Sequence, residues 1–358
     1  ARNRIGCEVR GFQQYIGGAG DSIESAKNFL TAALNYDSES LPGRYGKVYF
    51  RTFLKALTPQ GVVQTSNSAD GPWETILDPN TLSKDGTVAL SGWSPSADGK
   101  RIVYFTSEAG SDAQTMHIYD VENRKTLPDV IENCRFSSVL WDKGSHDSFR
   151  YTYPTHDGTR RNKVMHHTIG QPASEDKKIF EMPDADSSVA PSRLVTSKYE
   201  WMWQSIGTDK NPGLFFRAFG SDEEFKQLVP PKTTTISPVY EFEDGSILAV
   251  TTKDSPRGKL VRFDPRDPDE AKWQTIIPQH DADMLDSVMM HKGKLYAFYT
   301  HDTADAMRVF TPEGKHLHNM PLPEQSVTGY ARICPDDEKF TLKISSFKTP
   351  GDTYSYDI

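Results

Sequence analysis

FEDGSILAVTTKDSPRGKLVRFDP, Phe242 to Pro265, reads as two strands and the turns that frame them. In FEDG the aspartate initiates a turn and Gly245 supplies the positive φ that tight hairpins need. SILAVTT, from Ser246, follows as a candidate half-buried strand. A second polar, Gly-containing turn leads into KLVRFDP from Lys259, and a short edge strand, QTIIP, ends near a proline.

The same phrase recurs in both directions. RIVYFTS (Arg101), SFRYTYP (Ser148), EWMWQS (Glu200), KLYAFYT (Lys294) and KFTLKIS (Lys339) are its counterparts. They show the period-two alternation of half-buried strands. Most follow a polar turn: SADGK, DKGSHD, MHKG or CPDDE. The second strand returns as TMHIYDV, KVMHHTI, GLFFRAF and AMRVFTP, and the edge strand as KTLPD, KIFEMP, KQLVP and HNMPLP. The repeat is about 45 to 52 residues, and four strands at that period is the signature of a propeller blade. With an early unit from Lys47 to Asp78 and a last one from Val327 to Ile358, the count is seven. A solenoid or an array of small sandwiches would leave more sheet edges open than a closed ring does. The expected fold is therefore all-β: a seven-bladed β-propeller over 47–358, preceded by a short helical segment in 1–46.

In that segment, SIESAKNFLTAALNY places Ile23, Ala26, Phe29, Leu30, Ala33 and Leu34 at helical spacing, with Asp21 or Ser22 as N-cap. A helix from about Ser22 to Tyr36 must cover its apolar stripe with the propeller or with another domain.

Bulk properties narrow the function. A net charge of −8 gives no basic face for nucleic acid. No apolar run reaches the roughly 18 residues needed to span a bilayer, and ARNRIGCEVRGFQQY has no apolar core of a secretory signal. Cys7, Cys134 and Cys334 are odd in number and far apart, which fits reduced thiols in a cytoplasmic protein better than disulfides or a zinc site. The expectation is a cytoplasmic monomer with no cofactor and no metal.

No catalytic constellation is visible. GWSPS, Gly92 to Ser96, is the nearest approach to a G-x-S-x-G elbow, but Pro95 follows Ser94 and a β-turn replaces the helix. Four His-Asp pairs (His146-Asp147, His156-Asp157, His280-Asp281, His301-Asp302) fall in predicted turns and read as solvated turn residues. HDADMLDS offers Asp281, Asp283 and Asp286 as metal ligands, without the glycine-centred calcium pattern. IGGAG follows no strand, and Trp141-Asp142 occurs once without the Gly-His of WD repeats. By default such a chain binds or gates.

The longest distinctive phrase is DPNTLSKDGTVALSGWSPSADGK, Asp78 to Lys100. It resembles the segment that opens the second blade in the prolyl oligopeptidase family. SEAGSD (Ser107), LPDVIENCRFSSVLW (Leu127), DPDEAKWQTIIPQHDADML (Asp267) and SFKTPGDTYSYDI (Ser346) extend the resemblance, in order, over roughly 47–358. It implies a propeller that caps an α/β-hydrolase domain bearing a Ser-Asp-His triad and restricts access to short peptides cleaved after proline. The triad-bearing domain is not in this chain, so the chain alone is expected to be inactive, as a fragment or an incomplete gene product. The alternative is a stand-alone propeller binding a peptide or protein partner. Phe136, in CRFSSVLW, falls where the family has an aromatic near the substrate cleft; an ordinary place in the blade core is equally open to it. A family thiol aligns near Lys210 and is missing. Residues 1–46 lack the family's Y-x-W-L-E-D phrase.

Overall fold

The computed structural model describes residues 20–154, 160–184, 186–194, 196, 198–332, 339–347 and 351–357. Seven antiparallel sheets follow one another along the chain, at 38–77, 88–131, 139–181, 187–229, 236–277, 284–320 and 327–357. They form a seven-bladed β-propeller. Five blades have four strands in sequence order; the first has five, two of them short, and the seventh has three among the described residues.

The first blade begins at Ser38, ahead of the residue 47 expected from the repeat, because Ser38–Glu39 and Gly43–Tyr45 both pair with Val48–Leu54. Val48–Leu54 then pairs with Val62–Ser66, so it stays within its own blade. No strand is shared between the first and seventh blades among the described residues. The Lys343 ammonium donates to the Glu39 carbonyl at 2.6 Å across that junction.

The second strand of the fifth blade is buried on both faces, not on one. Ile247–Thr251 has every residue buried. The reason is stacking: Ile247 and Ala249 join Tyr199, Trp201 and Phe216 of the fourth blade. Leu248 and Val250 join Leu285, Leu295 and Tyr299 of the sixth. Period-two alternation still sorts the side chains, but it sorts them between two dry interfaces rather than between core and water.

The turns of the opening phrase are tied to the neighbouring blades. Gly245 has φ +86°, and its carbonyl accepts from Tyr199 Oη of the fourth blade at 2.7 Å. Gly258 has φ +76°, and a Cβ there would lie 2.7 Å from the Leu285 carbonyl oxygen of the sixth blade. Gly258→Ala is therefore expected to cost about 2 kcal/mol, from the left-handed backbone and the forced shift together; a urea midpoint equal to that of the parent chain would refute this.

One helix precedes the ring: α1, Gly20–Ala33. It begins and ends two or three residues before the expected bounds. Its apolar stripe does not pack on the propeller, for Phe29, Leu30 and Leu34 are all exposed. No described helix is long and apolar enough to cross a membrane.

Candidate functional site

Strand direction decides which loops share a face. Each blade is antiparallel throughout, so its first and third strands run one way and its second and fourth run back. The links between blades and the turns joining second to third strands therefore collect at one end of the ring, here named the connector face. The segment from α1 enters the first blade at this end, where the Ala56 amide donates to Asp37 Oδ1 at 2.7 Å.

Exposed large apolar side chains concentrate there. Leu57, Leu82, Phe136, Met284 and Phe347 lie on the connector face, and Phe347 is fully exposed. With Phe29 and Leu30 of α1, and Leu34 just after it, they outweigh the opposite end, where the exposed pair among the described residues is Phe219 and Leu317. Exposed apolar side chains gathered at one end of the ring suit that end to an interaction.

Phe136 stands in the link 132–138 between the second and third blades. It is 51% exposed, which removes it from the blade core. Its φ is +49°, a left-handed conformation unusual for a non-glycine residue. The link is held on both sides. Cys134 is buried, with its amide donating to the Gln114 carbonyl at 2.8 Å. The Ser138 amide donates to Thr152 Oγ1 at 2.9 Å, and Arg161 donates to the Phe136 carbonyl. Arg135 lies 5.5 Å over the Phe136 ring and is anchored by Asp112 at 2.7 Å. An aromatic ring presented on a fixed loop can stack on a prolyl or apolar side chain at little entropic cost.

Beside that link is a groove of about 660 Å³, lined by Leu82, Tyr104, Thr106, His117, Glu132 and Asn133 among others. The sequence reading missed His117, which falls in a strand rather than a turn. Its imidazole stacks on Tyr104 with centroids 5.1 Å apart, and Nε2 lies 3.0 Å from Thr106 Oγ1. Burial lowers its pKa, so the ring is neutral at pH 7. A hydroxyl and an imidazole at this distance resemble half a nucleophile–base pair, but no carboxylate bonds the other ring nitrogen among the described residues. Among the described residues, no triad is assembled in this groove.

The remaining candidates separate. Ser94 is a strand residue whose backbone pairs with Val103, and its carbonyl accepts from Trp141 Nε1 at 3.2 Å. His146 Nδ1 pairs with Asp98 at 2.8 Å. His156 and Asp157 lie outside the described residues, as do Cys7, Cys334 and the first four residues of IGGAG. The HDAD loop is not a string of ligands. Asp283 is 1% exposed and gathers Arg308, His301 and His280, while Asp286 accepts from Thr300 at 2.6 Å. With a guanidinium already on its carboxylate, Asp283 holds a buried ion-pair cluster together, and no group of three metal-ligating residues occurs among the described residues. Lys210 is exposed in a turn of the connector face. Trp141 is buried at a strand end, and Asp142 pairs with His166 at 2.6 Å.

A family model described as the N-terminal β-propeller domain of prolyl oligopeptidase matches residues 12–358. A prolyl endopeptidase of Elizabethkingia meningoseptica is 23% identical, over 94% of this chain and 48% of its own length. Prolyl oligopeptidase A of Amanita bisporigera is 26% identical, over 82% and 42%. Prolyl oligopeptidase B of Galerina marginata, solved with a 35-residue hydrolysis and macrocyclization substrate, superposes with a TM-score of 0.85 at 21% identity, over 96% of this chain and 52% of that one. The chain spans about half the length of the curated relatives it matches.

Proposed function

The chain belongs to the prolyl oligopeptidase family, matching its N-terminal propeller, and on that premise we propose that it caps an α/β-hydrolase domain and filters the peptides that reach it. The observation that carries this reading is the apolar connector face. A propeller adapted to live alone would present a solvent-suited surface there, whereas this one exposes Leu57, Leu82, Met284 and Phe347 together with the stripe of α1. Docking of the hydrolase domain would bury that surface and give α1 the apolar partner that the propeller does not.

The filter is steric. A ring of blades over a serine-peptidase site excludes folded proteins and admits flexible peptides, and its own residues need do no bond chemistry. Phe136, on the docking face, would stack on a proline or an apolar side chain of the peptide. On this reading the 358-residue chain alone is inactive, and a fluorophosphonate probe should label none of its serines; labelling of any serine would sink that claim. The reading carries with it a cytoplasmic monomer; the free, buried thiol of Cys134 is compatible with a reducing compartment.

An antibody against the chain tests the whole. A native species near twice the chain's 40.2 kDa, in the soluble fraction, is expected. A species near 40 kDa would instead make the propeller a stand-alone binder of a peptide or protein. In a full-length peptidase, Phe136→Ala should raise KM for a prolyl peptide about 2- to 10-fold, since an aromatic stack is worth about 0.5–1.5 kcal/mol. An unchanged kcat/KM would remove Phe136 from the peptide path.

A further inference from the structure

Beneath the link that presents Phe136, three ionisable side chains meet away from water. Asp129 lies on Lys125–Ile131, the last strand of the second blade. His167 lies on Lys163–Thr168 of the third blade, and Asp176 follows the short 3-10 turn Ala173–Glu175. Their side chains are 3%, 1% and 1% exposed. His167 Nδ1 is 2.8 Å from Asp176 Oδ1, and Nε2 is 3.3 Å from Asp129 Oδ1. Both carboxylates have further donors: Tyr151 Oη to Asp176 Oδ2 at 2.7 Å, and the Gly170 amide to Asp129 Oδ1.

We infer that His167 is a buried imidazolium that pins the second blade to the third, and that loss of its proton loosens the joint under the 132–138 link. Donor counting fixes the charge of the ring. An ionised carboxylate only accepts, so each ring nitrogen must carry a hydrogen, and imidazole carries two only when it is charged. When the proton leaves, one nitrogen lone pair faces a carboxylate oxygen in a dry site. That contact turns from attractive to repulsive where water cannot relieve it.

The other groups facing the cluster do not titrate in its place. Tyr151, from Ser148–Tyr153, is pushed up by burial and by Asp176, and stays protonated. The Cys134 thiol, from the link itself, is raised to about 12 by burial and then by Asp176. Phe149, whose ring centroid is 5.2 Å from that of His167, carries no charge. For His167, burial acts to lower the pKa, but the hydrogen bonds and charges of Asp176 and Asp129 outweigh it, so the net shift is upward. A raised folded pKa sets the sign: the joint is at full strength below about pH 6.5 and weakens as pH climbs through the higher folded value. The His167 ring packs on Phe149, which shares a buried cluster with Cys134, Ile131, Trp141 and Tyr151, so the slackening would reach the Phe136 link through that cluster.

The test needs no peptidase activity, so it stands or falls apart from the proposed function. On the ¹⁵N-labelled 358-residue chain, long-range imidazole spectra at pH 7 should show both nitrogens of His167 protonated; a neutral tautomer would overturn the proposal. The thermal midpoints of the parent chain and of His167→Gln should differ by several degrees at pH 6, and the gap should narrow as pH rises through the raised folded value. A gap independent of pH would make His167 a packing residue only. Should that variant fail to fold, Asp129→Asn in its place should bring the His167 titration down toward about 6.5, and an unmoved titration would refute the pin.

Discussion

Trp201→Ala is expected to destabilise the chain by about 4 kcal/mol, read as a lowered urea midpoint. Trp201 is 2% exposed and sits where the fourth and fifth blades meet, with ring centroids 5.5 Å from Tyr199 and 5.8 Å from Phe216. Truncation of a buried tryptophan loses both its transfer energy and the contacts around the cavity it leaves, together about 3–5 kcal/mol. There is also a polar loss. Trp201 Nε1 donates to Glu241 Oε1 at 2.8 Å, and Glu241 is 1% exposed. Thr196 Oγ1 at 2.8 Å and the Lys198 amide at 2.6 Å bond the other oxygen, so Oε1 would be left without its indole donor in a dry site. Trp201→Phe retains most of the ring and should cost about 1–2 kcal/mol, mainly for the stranded carboxylate oxygen. A loss below about 2 kcal/mol for the alanine variant would contradict a core assembled from stacked blades.

Trp201 also shows what the sequence made legible. EWMWQS was readable as a strand, and its counterparts at a fixed spacing were readable as seven blades, because repetition and turn chemistry are local signals. Burial on both faces was harder to read. Trp201 turns toward the fifth blade and Met202 toward the third, so large side chains stand at adjacent positions and the half-buried pattern fails. Phe136 was named from a resemblance; its exposure and its place in the link between two blades are tertiary facts. The exposed stripe of α1 was visible as a helical pattern, but what it fails to touch is a tertiary fact. Residues paired across blades were not legible at all. His167 and Asp129 are 38 positions apart, and Arg150 and Glu200 are 50 apart. Those separations are close to one blade repeat, and a sequence motif has no reach over that distance.

The Arg150–Glu200 pair supplies the second large effect. Glu200 has 3% of its side chain exposed and accepts from Arg150 of the third blade at 2.7 Å and from Arg217 of its own blade at 2.6 Å. The two guanidiniums are 14% exposed, and Arg217 is further covered by Phe225, 4.5 Å from its ring centroid. Glu200→Gln keeps the shape and removes the charge, leaving two cations close together with an amide that can accept from them but also presents its own N–H groups. Breaking a buried pair from one side costs about 3–5 kcal/mol; the small remaining exposure of the arginines argues for about 3. The acid limb separates this from simple packing. Burial alone would raise the Glu200 pKa, but the hydrogen bonds and charges of Arg150 and Arg217 outweigh it, so the net value lies below the usual glutamate range. A depressed folded pKa means the contribution is present above about pH 4.3 and is lost as pH falls through the lower folded value. The parent chain should therefore lose stability on acidification more steeply than the variant, and the two urea midpoints should approach each other at low pH. Parallel curves would mean that Glu200 acts between the blades through its shape rather than its charge.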